Sequence, residues 1–434
     1  MAAHDPQRIA VAVLDSMTMP SRRLRIASVY RSFNRSGSIE SLFTRNAERL
    51  AQDEDVTVFA SAASRTPTSA PLEFETVEPA LWGRGRFRYA AECSTFAWRA
   101  SKTLAQRRDD FDVVHVEGFA AHDADLVSVH AVRSAEVEHY FARVECEAGS
   151  VRRRVSALAR PQTWVVKRIE QRLFESGSAP YCICPSTAVK RDLQRWHGVP
   201  PDRIKVLPYG VDVDRFRPDA RVRARLRSEH GTPPGRLVVL FVGSSFERKG
   251  LDVCIAGLVR SRLVDAELWV IGGTADERRR VERAPRDASS CVRLLGTATH
   301  DALPAFYSAA DIFVLPTRQD SWAIPVTEAL AAGCVVVTSE YAGSCELITH
   351  GVDGYVLRAQ GDADELAALL DGPLADGATR TEVASRGRET ARACEYESFY
   401  AGYRAAHWDA YELARERRHV QSRGVLTLRE AHDG

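Results

Sequence analysis

Short apolar runs alternate with amphipathic stretches along most of this 434-residue chain. That alternation predicts strands wound with helices, and hence parallel sheets, because neighbouring parallel strands need a helical crossover. In the first half, RIASVY (25–30), VTVFAS (56–61), VVHVEG (113–118) and LVSVH (126–130) read as strands, and IESLFTRNAERLAQ (39–52) reads as an amphipathic helix. RIAVAVLDS (8–16) is strand-like as well; the pattern leaves open whether it joins this sheet or forms an extra arm.

Pro233, Pro234 and Gly235 have linker character and mark a new unit. After them come the strand LVVLFVGS (237–244), the helix GLDVCIAGLVRSRL (250–263) and the strands AELWVIGG (266–273) and CVRLLG (291–296). A helix near 301–310, the strand DIFVLP (311–316), a helix over 325–332 and the strand CVVVTS (334–339) complete a second doubly wound sheet. The expected fold class is therefore α/β, with domains over 1–215 and 235–390. One long helical stretch is predicted over roughly 379–418. A C-terminal helix over 391–420 is expected to cross back to the first domain, ahead of a flexible tail at 421–434. A chain of this length is too long for a single ordinary core. Two such sheets place a cleft between their carboxyl ends, where open α/β sheets bind ligands.

Composition narrows the picture only a little. Apolar residues at 45% and charged residues at 27% fit a soluble globular protein, and a net charge of +1 gives no argument for nucleic acid. The nine cysteines show no paired metal spacing and read as reduced, buried thiols. No run approaches the ~20 apolar residues needed to span a bilayer, and the N-terminus lacks a signal-peptide pattern, so a cytoplasmic protein is expected.

Two stretches carry candidate chemistry. FVGSSFERKG (241–250) is a strand, a polar turn and a helix start carrying Arg248 and Lys249. It suits a diphosphate cradle and equally a solvated basic turn, although only five of the 59 basic residues are lysines. LPTRQDSWAIPVTEALAAGCVVVTSE (315–340) sets Asp320 in a turn and Glu328 one turn into the next helix. A carboxylate there can accept from a ribose diol, and the amides near Ala323 and Ile324 suit a phosphate or sugar oxygen. Taken singly, the two acids also read as ordinary surface residues at a helix N-terminus.

Together with CELITHGVDGYVL (345–357), these motifs follow one another at family spacing, and the chain resembles the family-4 retaining glycosyltransferases. The likeness covers most of residues 24–375 and is strongest over 237–357; KVLPYGVDVDRFRP (205–218) is similar to the family's interdomain segment. It implies the GT-B fold, two Rossmann-like domains facing across a cleft, with a nucleoside-diphosphate sugar as co-substrate and no cofactor. Glu328 corresponds to the residue that holds the ribose hydroxyls. Asp320 stands where the family more often has glutamate and contacts donor-sugar hydroxyls; Ser321, Trp322 and Ala323 replace the usual Gly-Phe-Gly ahead of Ile324. Arg248 and Lys249 match the basic pair that grips the diphosphate, in a turn opened by Gly243 that resembles the subgroup containing lipopolysaccharide-core sugar transferases. Base contacts are expected from the backbone around Leu295. In the first domain Gly37 of SGSIE (36–40) matches the glycine-rich loop, and His130 matches the histidine near the reacting sugar. A buried structural histidine is the other reading of His130.

By the same resemblance the reaction is transfer with retention. Arg248, Lys249 and helix-start amides stabilise the leaving diphosphate, and the acceptor proton passes to the departing phosphate. A double displacement through Asp320 is the weaker route. Asp-x-Asp triplets at 53–55, 123–125, 212–214 and 362–364 flank loops, helix starts and the interdomain segment, so no metal is expected. The competing readings are a non-catalytic sugar-nucleotide-binding protein and a sugar-nucleotide epimerase of the same fold. Acceptors compatible with the sequence are an envelope glycan, a lipid-linked saccharide and a small natural product. The stretch 150–174 carries seven basic residues against one acid. It fits weak contact with the inner face of an anionic membrane, and it fits helices packed on the sheet with arginines facing water. Oligomeric state is not legible.

Overall fold

The computed structural model describes residues 22–81, 86–138, 161–175, 179–263, 265–283, 292–358 and 362–430. The strand-like run 8–16 and the first part of the basic stretch, 150–160, lie outside them. The described residues cluster into two compact units, one of 22–207 with 400–430 and the other of 208–399.

The first unit contains β1 (Arg25–Val29), α1 (Ser38–Asp53), β2 (Asp55–Ala60), β3 (Glu73–Thr76), α2 (Arg86–Gln106), β4 (Val113–Glu117) and β5 (Leu126–Ser128). It continues with α3 (Pro161–Glu175), β6 (Tyr181–Cys184), α4 (Thr187–His197) and β7 (Ile204–Val206). All strand pairs are parallel, in the order β3-β2-β1-β4-β5-β6-β7. Covered by helices, β4 is buried along its whole length, as a central parallel strand should be. Helix α1 buries Phe43, Ala47, Leu50 and Ala51, one face at helical spacing. Helix α3 buries Val166, Ile169 and Leu173, so the described part of the basic stretch packs its apolar face inward.

The second unit contains α5 (Ala220–Glu229), β8 (Leu237–Gly243), α6 (Phe246–Lys249), α7 (Leu251–Arg260), β9 (Ala266–Gly272), α8 (Ala275–Glu282) and β10 (Val292–Leu294). There follow α9 (Leu303–Ala309), β11 (Ile312–Leu315), α10 (Ile324–Ala331), β12 (Val335–Ser339), β13 (Tyr355–Leu357), α11 (Ala363–Asp371) and α12 (Gly377–Arg392). Its parallel sheet has the order β10-β9-β8-β11-β12-β13. Strand order reverses between β1 and β4 in one sheet and between β8 and β11 in the other. Points of reversal of this kind are where open α/β sheets hold ligands.

Three expectations need correction. The strand LVSVH ends at Ser128, leaving His130 in the loop beyond it. The stretch 379–418 is two helices, α12 and α13 (Tyr396–Glu430), because Val211 exchanges backbone hydrogen bonds with the Cys394 carbonyl and the Tyr396 amide, both 2.9 Å. The expected flexible tail is helical through Glu430, since nothing in QSRGVLTLRE stops α13: it has one glycine and no proline. No helix among the described residues is long and apolar enough to cross a membrane.

Candidate functional site

In the second unit most of the candidate residues follow β8 or β11, and Leu295 follows β10. The chain leaves β8 through Ser245 (φ 60°) into α6, and leaves β11 through Ala323 (φ 66°) into α10. These are the only two non-glycine residues with positive φ among the described residues, and each is a helix N-cap. Left-handed backbone costs a side-chain-bearing residue roughly 1–2 kcal/mol, so the packing around both loops holds them in strained turns. Ala323 thus keeps the backbone conformation that glycine would adopt freely. At Gly243 a Cβ would lie 3.1 Å from Lys249 Cγ, so the glycine makes room for the lysine stem to fold back along β8.

Lys249 is buried and ends on the Asp320 carboxylate. Arg248, partly exposed, lies 3.9 Å from the same Oδ2 and donates to the Gln319 carbonyl at 2.9 Å. The other oxygen of Asp320, Oδ1, accepts from the Ala323 amide at 2.9 Å and the Trp322 amide at 3.3 Å. Burial alone would raise the Asp320 pKa, but the Lys249 and Arg248 charges outweigh it and hold the carboxyl below its ordinary range. Burial in turn lowers the Lys249 ammonium, partly offset by Asp320. Both Asp320 oxygens are therefore engaged within the protein.

Two amides at these helix starts are used within the protein. The Ala323 amide is given to Asp320, and the Phe246 amide opening α6 is given to Glu277 Oε1 at 2.8 Å. Burial would raise the Glu277 carboxyl, yet the Thr274 and Phe246 amides lower it overall. Trp322 is buried with an unpartnered indole Nε1, and Ser344, whose amide donates to the Trp322 carbonyl at 2.8 Å, has an unpartnered Oγ. Ile324 begins α10, with Pro325 in its first turn, where the missing N–H costs nothing.

Glu328 faces neither Arg248 nor Lys249 in any described contact. It is buried, with Oε2 accepting from the Tyr307 hydroxyl and Oε1 from the ring of His300, both at 2.8 Å. A carboxylate can only accept, so the His300 proton sits on Nε2. Burial and the adjacent Glu328 charge push the Tyr307 hydroxyl well up, which keeps it a donor. Sequence reading missed His300, an unremarked histidine in a loop, and Tyr307, which passes for a core aromatic. The Leu295 amide is used within the sheet, donating to the Val270 carbonyl at 2.9 Å.

The first unit holds the remaining two. Gly37 is the N-cap of α1, with the Glu40 carboxylate folded over it where a Cβ would be. His130 Nε2 lies 2.8 Å from Glu117 Oε2, at the buried end of β4. Glu117 also accepts from the Tyr403 hydroxyl of α13 at 3.4 Å. Behind it His115 bonds Ser128 Oγ at 2.8 Å and His407 at 3.1 Å. Sequence reading missed Glu117, whose one signal is an acid breaking the apolar pattern of a buried strand.

Similarity to known proteins gives this chain its family and its fold. The family model described as "Glycosyltransferase Family 4" matches residues 39–215, and "Glycosyl transferases group 1" matches residues 222–390. The amylovoran biosynthesis glycosyltransferase AmsK of Erwinia amylovora is 34% identical over 182 residues, 40% of this chain and 42% of its own length. A GDP-mannose-dependent phosphatidylinositol monomannoside mannosyltransferase of Mycobacterium tuberculosis is 32% identical over 228 residues, 48% of this chain and 58% of its own. The chain thus spans about half the length of these two curated relatives. Among solved structures, the lipopolysaccharide glycosyltransferase WaaG superposes with a TM-score of 0.69 at 22% identity, covering 88% of this chain and 98% of that one. The sucrose-phosphate synthase of Thermosynechococcus elongatus gives 0.70 at 20% identity, over 92% of this chain and 100% of its own. These likenesses establish the fold as GT-B. With the two family models together spanning most of its length, the chain belongs to the group 1, family 4 glycosyltransferases.

Proposed function

We propose that this protein transfers a sugar from a nucleoside-diphosphate sugar to an acceptor hydroxyl, with retention and without a required metal. The observation that carries the reading is the convergence of Arg248, Lys249 and Asp320 past the two strands at which sheet order reverses. Two cations held there by one carboxylate form a preorganised seat for a diphosphate, and charge developing on the leaving group is what they stabilise. They supply the positive charge that a metal would otherwise bring. Glu328 takes the ribose. Relatives named for GDP-mannose dependence support a nucleoside-diphosphate sugar as the donor class.

Asp320 has one oxygen on Lys249 and the other on backbone amides. That arrangement suits a group positioning the cation and a sugar hydroxyl better than a nucleophile, so direct transfer with the proton passing to the departing phosphate is favoured over double displacement. In the first unit Glu117 would hold His130 in place, and Gly37 would line the acceptor side. An envelope glycan, a lipid-linked saccharide and a small natural product remain the acceptor classes. The test is to incubate purified protein with UDP-, GDP- and ADP-sugars plus chelator, water serving as the acceptor hydroxyl, and to read by NMR the anomer first released, before mutarotation. Release of nucleoside diphosphate with the donor's anomeric configuration kept supports the reading; inversion, or activity only with added metal, overturns it.

A further inference from the structure

Glu328 is gripped from two sides, and the two grips differ. Tyr307 is fully buried in α9 and reaches Oε2 at 2.8 Å, while His300 is about one third exposed and reaches Oε1 at 2.8 Å. The brace is itself anchored. Phe216 packs against both rings, with centroids 5.6 Å from His300 and 5.8 Å from Tyr307. The His300 carbonyl accepts from Arg215 at 2.8 Å, and the same guanidinium pairs with Asp301 at 2.8 Å. Two donors on separate oxygens fix the rotation of the carboxylate about its last bond. They also leave one lone pair on each oxygen, because an ionised carboxylate offers about four acceptor positions. Two acceptor positions side by side match a cis-diol, which presents two hydroxyls together, better than a single hydroxyl.

Resting on the reading of Glu328 as the ribose ligand, we propose that Tyr307 and His300 are positioning residues that make this pocket select ribonucleotides over 2′-deoxyribonucleotides. The donor class then narrows to ribonucleoside-diphosphate sugars and excludes deoxythymidine-diphosphate sugars. A deoxyribose leaves one braced position of a buried carboxylate without its hydrogen bond, the kind of loss by which polar sites reject analogues lacking a hydroxyl.

The test measures dissociation constants of UDP, GDP and ADP, each against its 2′-deoxy counterpart, by calorimetry. For the base that binds tightest, the wild type should prefer the ribonucleotide by about tenfold or more. Glu328→Gln should lose most of that preference. Tyr307→Phe and His300→Gln should each reduce it several-fold, with a smaller change in affinity for the deoxynucleotide. His300 is partly exposed, so His300→Gln keeps the test open if Tyr307→Phe does not fold. A full preference in both variants, alongside its loss in Glu328→Gln, overturns the brace and leaves the ribose reading standing. Equal binding of ribo- and deoxynucleotide by the wild type removes the ribose reading and the brace together. A folded wild type that binds none of the six removes the proposed function itself.

Discussion

Asp320 and Lys249, 71 residues apart in the chain, meet as a buried ion pair just past two adjacent strands. Removing one partner of such a pair leaves an uncompensated charge out of water and typically costs 3–5 kcal/mol. Asp320→Asn and Lys249→Met should therefore each destabilise by roughly that much in urea unfolding, and the double variant by clearly less than their sum. Additive losses would mean that the two charges do not depend on each other.

Arg248 is the exposed member of the cluster, so its loss should spare the fold. Removing a preorganised donor from a developing anion costs about 3–4 kcal/mol, so Arg248→Ala should lower kcat by roughly 10²–10³ with stability unchanged. Steady-state kinetics with circular dichroism melting checks both halves.

Glu117 connects the predicted histidine to a buried polar chain, with His130 on one oxygen and Tyr403 on the other. A hydrogen bond to a charged group contributes about 1.5–3 kcal/mol, which corresponds to roughly ten- to hundredfold in rate if it acts on the transition state. Glu117→Gln should lower kcat by that factor while the dissociation constant for nucleoside diphosphate stays put. A matching fall in nucleotide affinity would assign Glu117 a purely structural part.

His115 and His407 predict acid sensitivity. Burial lowers His115 well below its ordinary value, and burial lowers His407 to about 4 from 6.5. Both are neutral in the folded protein, while the unfolded chain takes up their protons near pH 6.5. Stability is therefore fully present above that pH and is lost as pH falls toward 4. From His407 alone, unfolding free energy should be about 2 kcal/mol lower at pH 5 than at pH 7.5, measured by urea titration at each pH.

The sheets were legible because parallel strands buried on both faces are continuous apolar runs, as in LVVLFVG and CVVVTS. The pairing of Lys249 with Asp320 was not, since contact across 71 residues depends on which strands are neighbours. Motif spacing located Glu328, but not what holds it. Tyr307 and His300 resemble a core aromatic and a loop residue until α9 and α10 bring them onto one carboxylate. The break between α12 and α13 escaped for the same reason: Val211, far upstream, supplies the backbone partners that interrupt the helix. Glu117 shows the converse. An acid inside a buried strand breaks the local pattern, and such breaks mark the places where tertiary partners decide.

The central claim is a nucleoside-diphosphate site built on Arg248, Lys249 and Glu328. Thermal denaturation of the wild type and Glu328→Ala with UDP, GDP, dTDP and ADP tests it most directly. A ligand at a hundred times its dissociation constant adds roughly 2.7 kcal/mol, a shift of a few degrees. One ribonucleoside diphosphate should raise the wild-type midpoint, and Glu328→Ala should lose the response. A well-folded wild type whose midpoint moves with none of them would contradict the account.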